Sequence, residues 1–270
     1  MRKILFLTDL HMTDAGQTII GLDPAERLAR VLDHALAHHG DAAHVLILGD
    51  LAHHGRPAEY ERLAAVMARC PLPITATLGN HDNRANARAA LPWLARDDAG
   101  FAQASFGWGD TRVIVLDTLD EDGIAPHHGG YLCGTRMNWL RQQLHETLEP
   151  NLLVALHHPP LVTGFDGMDA IHLSNAPELV SILSRQGRPA HLICGHVHRT
   201  VSGRTGVLSY TLLKSPCHQM PMKLGPGSSG LSVDEPGAYG IVLLHDSGPI
   251  VHTEDVFDAP SSVAEDPKSA

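Results

Sequence analysis

Five short blocks of this 270-residue sequence carry side chains that can hold a cation or move a proton. They are Asp9-Leu10-His11, Gly49-Asp50, Gly79-Asn80-His81-Asp82, His157-His158 and Gly195-His196-Val197-His198. Carboxylates and imidazoles without a thiolate form a donor set for a pair of divalent Mn, Fe, Zn or Co ions rather than for soft metals. In Asp9-Leu10-His11 and in His196-Val197-His198 the ligand types recur at i and i+2, which on an extended backbone turns them to one side. A single carboxylate such as Asp50 can bridge two ions. The glycines at 49, 79 and 195 let the chain turn sharply beside these groups.

The elements that must position these blocks are short apolar runs. Ile4-Leu5-Phe6-Leu7 ends at Asp9, Val45-Leu46-Ile47-Leu48 at Asp50, and the run from Ile74 to Leu78 at Asn80-His81. Leu152 to Leu156 ends at His157, and Leu192-Ile193-Cys194 at His196. Helical patterns separate them. Asp23-Pro24-Ala25-Glu26 has capping spacing, and Leu28, Val31, Leu32, Ala35 and Leu36 follow the helical stripe. Pro57 opens a second helix, Thr135 a third, and Leu179, Ile182 and Leu183 mark a fourth. Strand, helix, strand is the rhythm of a parallel sheet covered on both faces. In open α/β sheets the site lies at the carboxyl ends of the strands, so residues distant in sequence converge on one rim. Three later runs, Val207–Leu213, Ala238–Leu244 and Pro249–Val256, predict antiparallel strands around a long Pro- and Gly-rich loop from Ser215 to Pro236.

From Asp9 to His198 the order DxH, GD, GNHD, H, GHxH resembles the calcineurin-like metallophosphoesterases. Each block alone is common, but five in order, each after an apolar run, are hard to produce by chance. The chain size, GNHD, His157-His158-Pro159-Pro160 and Cys194-Gly195-His196-Val197-His198 are similar to the bacterial class III cyclic-nucleotide and glycerophosphodiester phosphodiesterases. His218-Gln219-Met220-Pro221 resembles a late active-site segment of the glycerophosphodiesterase branch. The resemblance implies a four-layer α/β/β/α sandwich. It implies that Asp9, His11 and His198 hold one ion, that Asn80, His157 and His196 hold a second, and that Asp50 bridges them together with a hydroxide. Asn80, His81 and His218 would face the substrate, with His81 stabilising charge or protonating the leaving oxygen. The reaction implied is hydrolysis of a small phosphodiester by the bridging hydroxide. A glycerophosphodiester is the first expectation and a 3′,5′- or 2′,3′-cyclic nucleotide the alternative. Mn or Fe is expected before Zn or Co, and relatives of this kind are often homodimers or larger. A catalytically dead metal-binding scaffold is the alternative of another class, and the complete ligand set with His81 present speaks against it.

Bulk composition bounds the partners. Lys and Arg total 20 against 30 Asp and Glu, a formal charge of -10, and aromatic residues are 4%. Extended nucleic acid is therefore not an expected partner. Two divalent ions against two carboxylates and a hydroxide would leave the site at about +1, which suits a singly charged phosphodiester.

There are 20 histidines. His38-His39, His53-His54 and His127-His128 lie outside the motifs and read mostly as surface residues, although His53 and His54 follow Asp50 closely. His158 faces away from its neighbour His157 and reads as a loop contact. Asp82 reads as a helix cap or as the orienter of a neighbour, and Cys194 as a small buried residue. Four scattered cysteines give no disulfide framework.

No stretch approaches the roughly 20 apolar residues of a membrane span. Asp9 interrupts the first apolar run too early for a signal-peptide core, so a cytoplasmic protein is expected. One domain over 1–257, with late strands and a cap or loop region at about 200–257, and a flexible tail over 258–270 complete the reading.

Overall fold

Runs of apolar residues without polar alternation become strands buried on both faces, and here they build two sheets that face each other. The computed structural model describes residues 2–226 and 230–257, so the tail expected over 258–270 lies outside the described residues. In chain order the elements are β1 (Arg2–Leu7), α1 (Pro24–His39), β2 (His44–Leu48), α2 (Pro57–Met67), β3 (Ile74–Thr77), α3 (Arg84–Ala90), β4 (Ala104–Trp108) and β5 (Thr111–Leu116). They continue with α4 (Gly134–Glu146), β6 (Asn151–Leu156), α5 (Asp166–Asp169), α6 (Ala176–Ser184), β7 (Ala190–Cys194), β8 (Val201–Thr205), β9 (Leu208–Leu212), β10 (Gly237–His245) and β11 (Gly248–Val256).

The first sheet has the order β11-β10-β1-β2-β3 and the second β4-β5-β6-β7-β9-β8. β1, β2 and β3 run parallel, as do β5, β6, β7 and β9. Ile4, Phe6, Leu46 and Leu48 of one sheet pack with Val113, Val115, Leu153 and Ile193 of the other, all fully or almost fully buried. On the outer face of the first sheet, Leu5, Leu7, Val45 and Ile47 meet Leu28, Leu32, Tyr60 and Leu63 of α1 and α2. On the outer face of the second, Leu152, Val154 and Leu192 meet Leu140, Leu144 and Leu179 of α4 and α6. The result is a four-layer α/β/β/α sandwich. Its period-2 alternation separates inter-sheet residues from helix-facing ones, with both sets apolar.

The first helix begins as its sequence dictates. Asp23 Oδ1 accepts from the Ala25 N–H at 2.8 Å, Pro24 occupies the first turn, and both Asp23 oxygens accept from Arg62. Between β9 and β10 the expected long loop holds only an isolated bridge between Gln219 and Val233 among its described residues. No helix among the described residues is long and apolar enough to cross a membrane.

Candidate metal centre

Strands β1, β2, β3, β6 and β7 all deliver their carboxyl ends to one rim, and there the backbone departs from strand geometry. Asp9 (φ 55°), His11 (46°), Asp50 (47°), His196 (72°) and His198 (52°) are left-handed. The i, i+2 pairs therefore share a side through left-handed turns, not through the extended backbone expected. Such conformations cost on the order of 1–3 kcal/mol each and persist where surroundings over-determine them. Here the Asp9 N–H donates to Gly49 O, the His11 N–H to Asp50 O, the His196 N–H to both oxygens of Asp9, and the Ser215 hydroxyl to Asp9 O.

Of the three glycines, only Gly49 turns through positive φ, at 90°. Gly79 and Gly195 are needed for space. A Cβ on Gly79 would lie 2.2 Å from Asp50 Oδ1, and one on Gly195 would lie 1.9 Å from Thr8 Oγ1.

The seven ligand candidates meet. His11 Nε2 lies 3.0 Å from His198 Nε2 and 3.5 Å from Asp50 Oδ2, and His198 Nε2 lies 3.4 Å from Asp9 Oδ1. His157 Nε2 lies 3.4 Å from the same Asp50 oxygen, 3.1 Å from Asn80 Oδ1 and 3.3 Å from His196 Nδ1. Asp9, His11, His198 and Asp50 thus form one group, and Asn80, His157 and His196 a second that touches it through Asp50.

The donor chemistry fits divalent cations. His157 Nδ1–H donates to Leu48 O at 2.8 Å and His198 Nδ1–H to His218 O at 2.9 Å, so each ring turns its Nε2 inward. Each Nε2 faces carboxylate or amide oxygens, which are acceptors, so the contact is completed by a proton on Nε2 or by a metal cation in its place. His196 Nε2 and His218 Nδ1 are buried with no hydrogen-bond partner.

Without an ion, a proton takes the cation's place on His157 and His198. Burial pulls His157 down, but the Asp50 and Asp9 carboxylates push it up to about 9, and Asp9 likewise outweighs burial to raise His198. Burial lifts Asp50, yet His157, His81 and His11 hold it well below the carboxylate range. Burial keeps His11 well below its ordinary value and takes His196 to about 3, leaving both neutral and able to ligate.

A cavity of about 500 Å³ opens over these groups, with His11, Asp50, Asn80, His81, His196, His198 and His218 in its floor and sides. The His81 N–H donates to Asp50 Oδ1 and its Nδ1–H to His53 O, which leaves Nε2 free. His218 sits beside His11 and His198 at 5.1 and 4.6 Å between ring centroids, on a loop fixed by mutual bonds of Ser215 and Gln219. Asp82 is not the cap of α3, which is Asn83. Asp82 accepts from the N–H groups of Leu51, Ala52 and Gly79 and from the Tyr60 hydroxyl, tying the turns after β2 and β3 together. His158 packs against His157 and His196, 4.7 Å from each between ring centroids, but both its nitrogens are engaged elsewhere, Nδ1 with Thr118 Oγ1 at 2.8 Å and Nε2–H donating to His128 O at 3.2 Å.

Three residues read mostly as surface histidines, His53, His127 and His128, line the cavity. His53 stacks on one side of His81 (5.3 Å, 17°) and His128 stacks on His81 as well (5.1 Å, 21°), with His128 Nδ1 3.0 Å from Asn80 Nδ2. Their sequence neighbourhood carries no motif. The only hint was the closeness of His53 to Asp50. His54 is occupied elsewhere, by Glu59.

Comparison with known proteins agrees with this geometry. The family model described as calcineurin-like phosphoesterase matches residues 2–200. A probable cyclic nucleotide phosphodiesterase of Rhodopseudomonas palustris is 35% identical over 251 residues, covering 93% of this chain and 91% of that protein. A glycerophosphodiester phosphodiesterase of Enterobacter lignolyticus is 29% identical over 181 residues, 66% of this chain and 63% of its own. A dimetal phosphatase from Danio rerio has the same fold, with a TM-score of 0.68 at 14% identity over 93% of this chain and 98% of that one.

Proposed function

The chain belongs to the calcineurin-like phosphoesterase family and is a phosphoric diester hydrolase; from that premise we propose that it cleaves a small cyclic nucleotide at a centre of two divalent ions, Mn or Fe before Zn or Co. The observation that carries the reading is Asp50 Oδ2, which stands 3.5 Å from His11 and 3.4 Å from His157 and so joins two sets of ligands through one oxygen. Asp9, His11 and His198 would hold one ion and Asn80, His157 and His196 the other, with Asp50 shared. When bound, such ions lower the pKa of water to about 7 and offset charge on the phosphoryl oxygens.

The chain's own residues supply orientation and a proton. Leu48 O and His218 O fix the tautomers of His157 and His198, so that Nε2 of each faces the centre. His81, with Nδ1–H committed to His53 O, uses Nε2 to pass a proton to the leaving oxygen. His218 contributes through its backbone carbonyl as well as its ring, and Asn80, His81 and His218 line the substrate cavity.

The choice of diester rests on the wall of that cavity. Met168, Ile171, Met220 and Leu231 contribute apolar surface to its lining. An apolar wall matches a nucleobase, whereas it leaves the hydroxyls of a glycerol headgroup without partners. This reverses the order expected from the His218-Gln219-Met220-Pro221 segment. That segment still favours a glycerophosphodiester as the second reading, because His218 and Met220 do line the cavity.

Purified, Mn-loaded protein assayed on 3′,5′-cyclic AMP, 2′,3′-cyclic AMP and glycerophosphoethanolamine at matched concentration tests the choice. A higher kcat/KM on either cyclic nucleotide is expected, and the reverse ranking returns the glycerophosphodiester to first place. Turnover that survives exhaustive chelation overturns the two-ion centre itself.

A further inference from the structure

We propose that His128 is a positioning residue of this centre: its Nδ1 holds the Asn80 amide so that Oδ1, not the NH2, faces the ligand cluster, while its ring walls one face of His81. The proposal rests on the two-ion reading above, since it assigns Asn80 a ligand's task.

An asparagine amide has two ends of nearly equal shape and opposite polarity. Only the oxygen carries lone pairs that can bind a cation. Asn80 Oδ1 stands 3.1 Å from His157 Nε2, inside the cluster, and Asn80 Nδ2 stands 3.0 Å from His128 Nδ1. The Asn80 NH2 donates and His128 Nδ1 accepts. If the amide turned over, its NH2 would enter the centre, and its oxygen would face the Nδ1 lone pair unless His128 moved its proton from Nε2 to Nδ1, so the Nε2–H tautomer of His128 favours Oδ1 inward. The same bond places the proton of the neutral imidazole on Nε2.

The backbone at His128 is built for this placement. Apart from the five ligand candidates at the rim, only Ile20 and His128 have positive φ among the non-glycine residues described, and His128 stands at 67°. Its carbonyl accepts from His158 Nε2–H, and His158 is locked in turn by Thr118. Gly130 lies flush against that imidazole, where a Cβ would come within 2.4 Å of the ring. The Gly130 N–H donates to His172 O, and Gly130 O accepts from the Ser174 N–H. A strained conformation clamped by a buried histidine and a tailored glycine marks a functional position rather than an idle loop. The plainer account is an exposed loop histidine that touches its neighbours by proximity. That account predicts that its side chain can be removed without consequence for the ions.

The test compares His128→Ala with His128→Asn. Asparagine tolerates positive φ and sets an acceptor at the level of Nδ1, but it has no ring. Mn binding followed by isothermal titration calorimetry, with the ion count from elemental analysis, reads Asn80 directly and does not depend on the substrate. Wild type is expected to take up two ions. In His128→Ala one of the two binding steps should weaken by roughly 10–100-fold, as loss of an outer hydrogen-bond partner does. In His128→Asn that step should return to near the wild-type value. Thermal unfolding of the metal-free variants at the wild-type temperature shows that the fold is intact. Unchanged affinities in His128→Ala overturn the proposal, and so does an equal loss in both variants, which would leave the Nδ1 acceptor without a role. A wild-type protein that takes up fewer than two ions overturns the two-ion reading and this proposal with it.

Discussion

Histidines at the two ends of these sheets live under opposite conditions. Near the start of β7, His191 bonds Ser209 Oγ and Thr211 Oγ1, and at the start of β2, His44 bonds Thr75 Oγ1. At the carboxyl rim, His11, His157, His196 and His198 face one another and two carboxylates. Burial alone does not separate the groups, since it lowers His191 to about 4 much as it lowers His196 to about 3. Partners do. A hydroxyl rotates to donate or accept as required, so His191 and His44 are satisfied by the protein alone. At the rim, imidazoles face carboxylates and one another, a bound proton or metal cation completes the contacts, and His196 Nε2 and His218 Nδ1 are left without a protein partner. A ligand set is thus distinguished from a merely buried histidine by the polarity of what it faces.

The sharpest way to break this contrast is Asp50→Ala. It removes the oxygen shared by both groups. Ion content should fall from two, and turnover of bis-para-nitrophenyl phosphate should drop by more than about 10³-fold as the pKa of water returns toward 15.7. Retention of both ions with full turnover would remove Asp50 as the bridge. Wild type that retained ions without turnover would instead revive the inert scaffold.

Next in size is His81→Ala, expected to keep both ions and lose about 10²-fold or more in kcat. The loss should be largest with alkyl leaving groups and small with para-nitrophenolate, which needs no proton. Equal loss on both would assign His81 to charge stabilisation alone.

Smaller again is the effect of ions on stability. A hundredfold excess of Mn over its Kd should add about 2.7 kcal/mol per site, seen as a higher Tm that Asp50→Ala does not show. At the far end of the scale, His191→Ala should leave kcat/KM unchanged and cost about 1 kcal/mol for its lost hydroxyl bonds, read by urea unfolding.

The sequence exposes the sandwich because strands covered on both faces are apolar throughout, as β6 (Asn-Leu-Leu-Val-Ala-Leu) is. It hides elements that do not need that pattern. β4 and β8 lie at the edges of their sheet and are only partly buried, and α3 (Arg-Ala-Asn-Ala-Arg-Ala-Ala) buries only Ala87. The ligand candidates were legible because each lies within about four residues of the end of an apolar strand. His53 and His128 were not, because they reach His81 from turns whose left-handed or bonded conformations leave no periodic trace. Gly79 and Gly195 were legible as glycines but not for their reason, which is a side-chain-sized gap filled by Asp50 and Thr8.

The arrangement β11-β10-β1-β2-β3 places the first strand in the middle of its sheet, with Arg2 opposite Leu244 and Phe6 opposite Gly240. Synthesis proceeds at about 5–20 residues per second, so roughly ten seconds or more separate the emergence of β1 from that of the strand that covers its flank. Throughout that interval Ile4-Leu5-Phe6-Leu7 offers an open row of backbone donors and acceptors on an apolar ribbon, the template on which chains aggregate. A chain cut before residue 237 keeps every proposed ligand from Asp9 to His198, but it leaves that edge of β1 without its antiparallel partner.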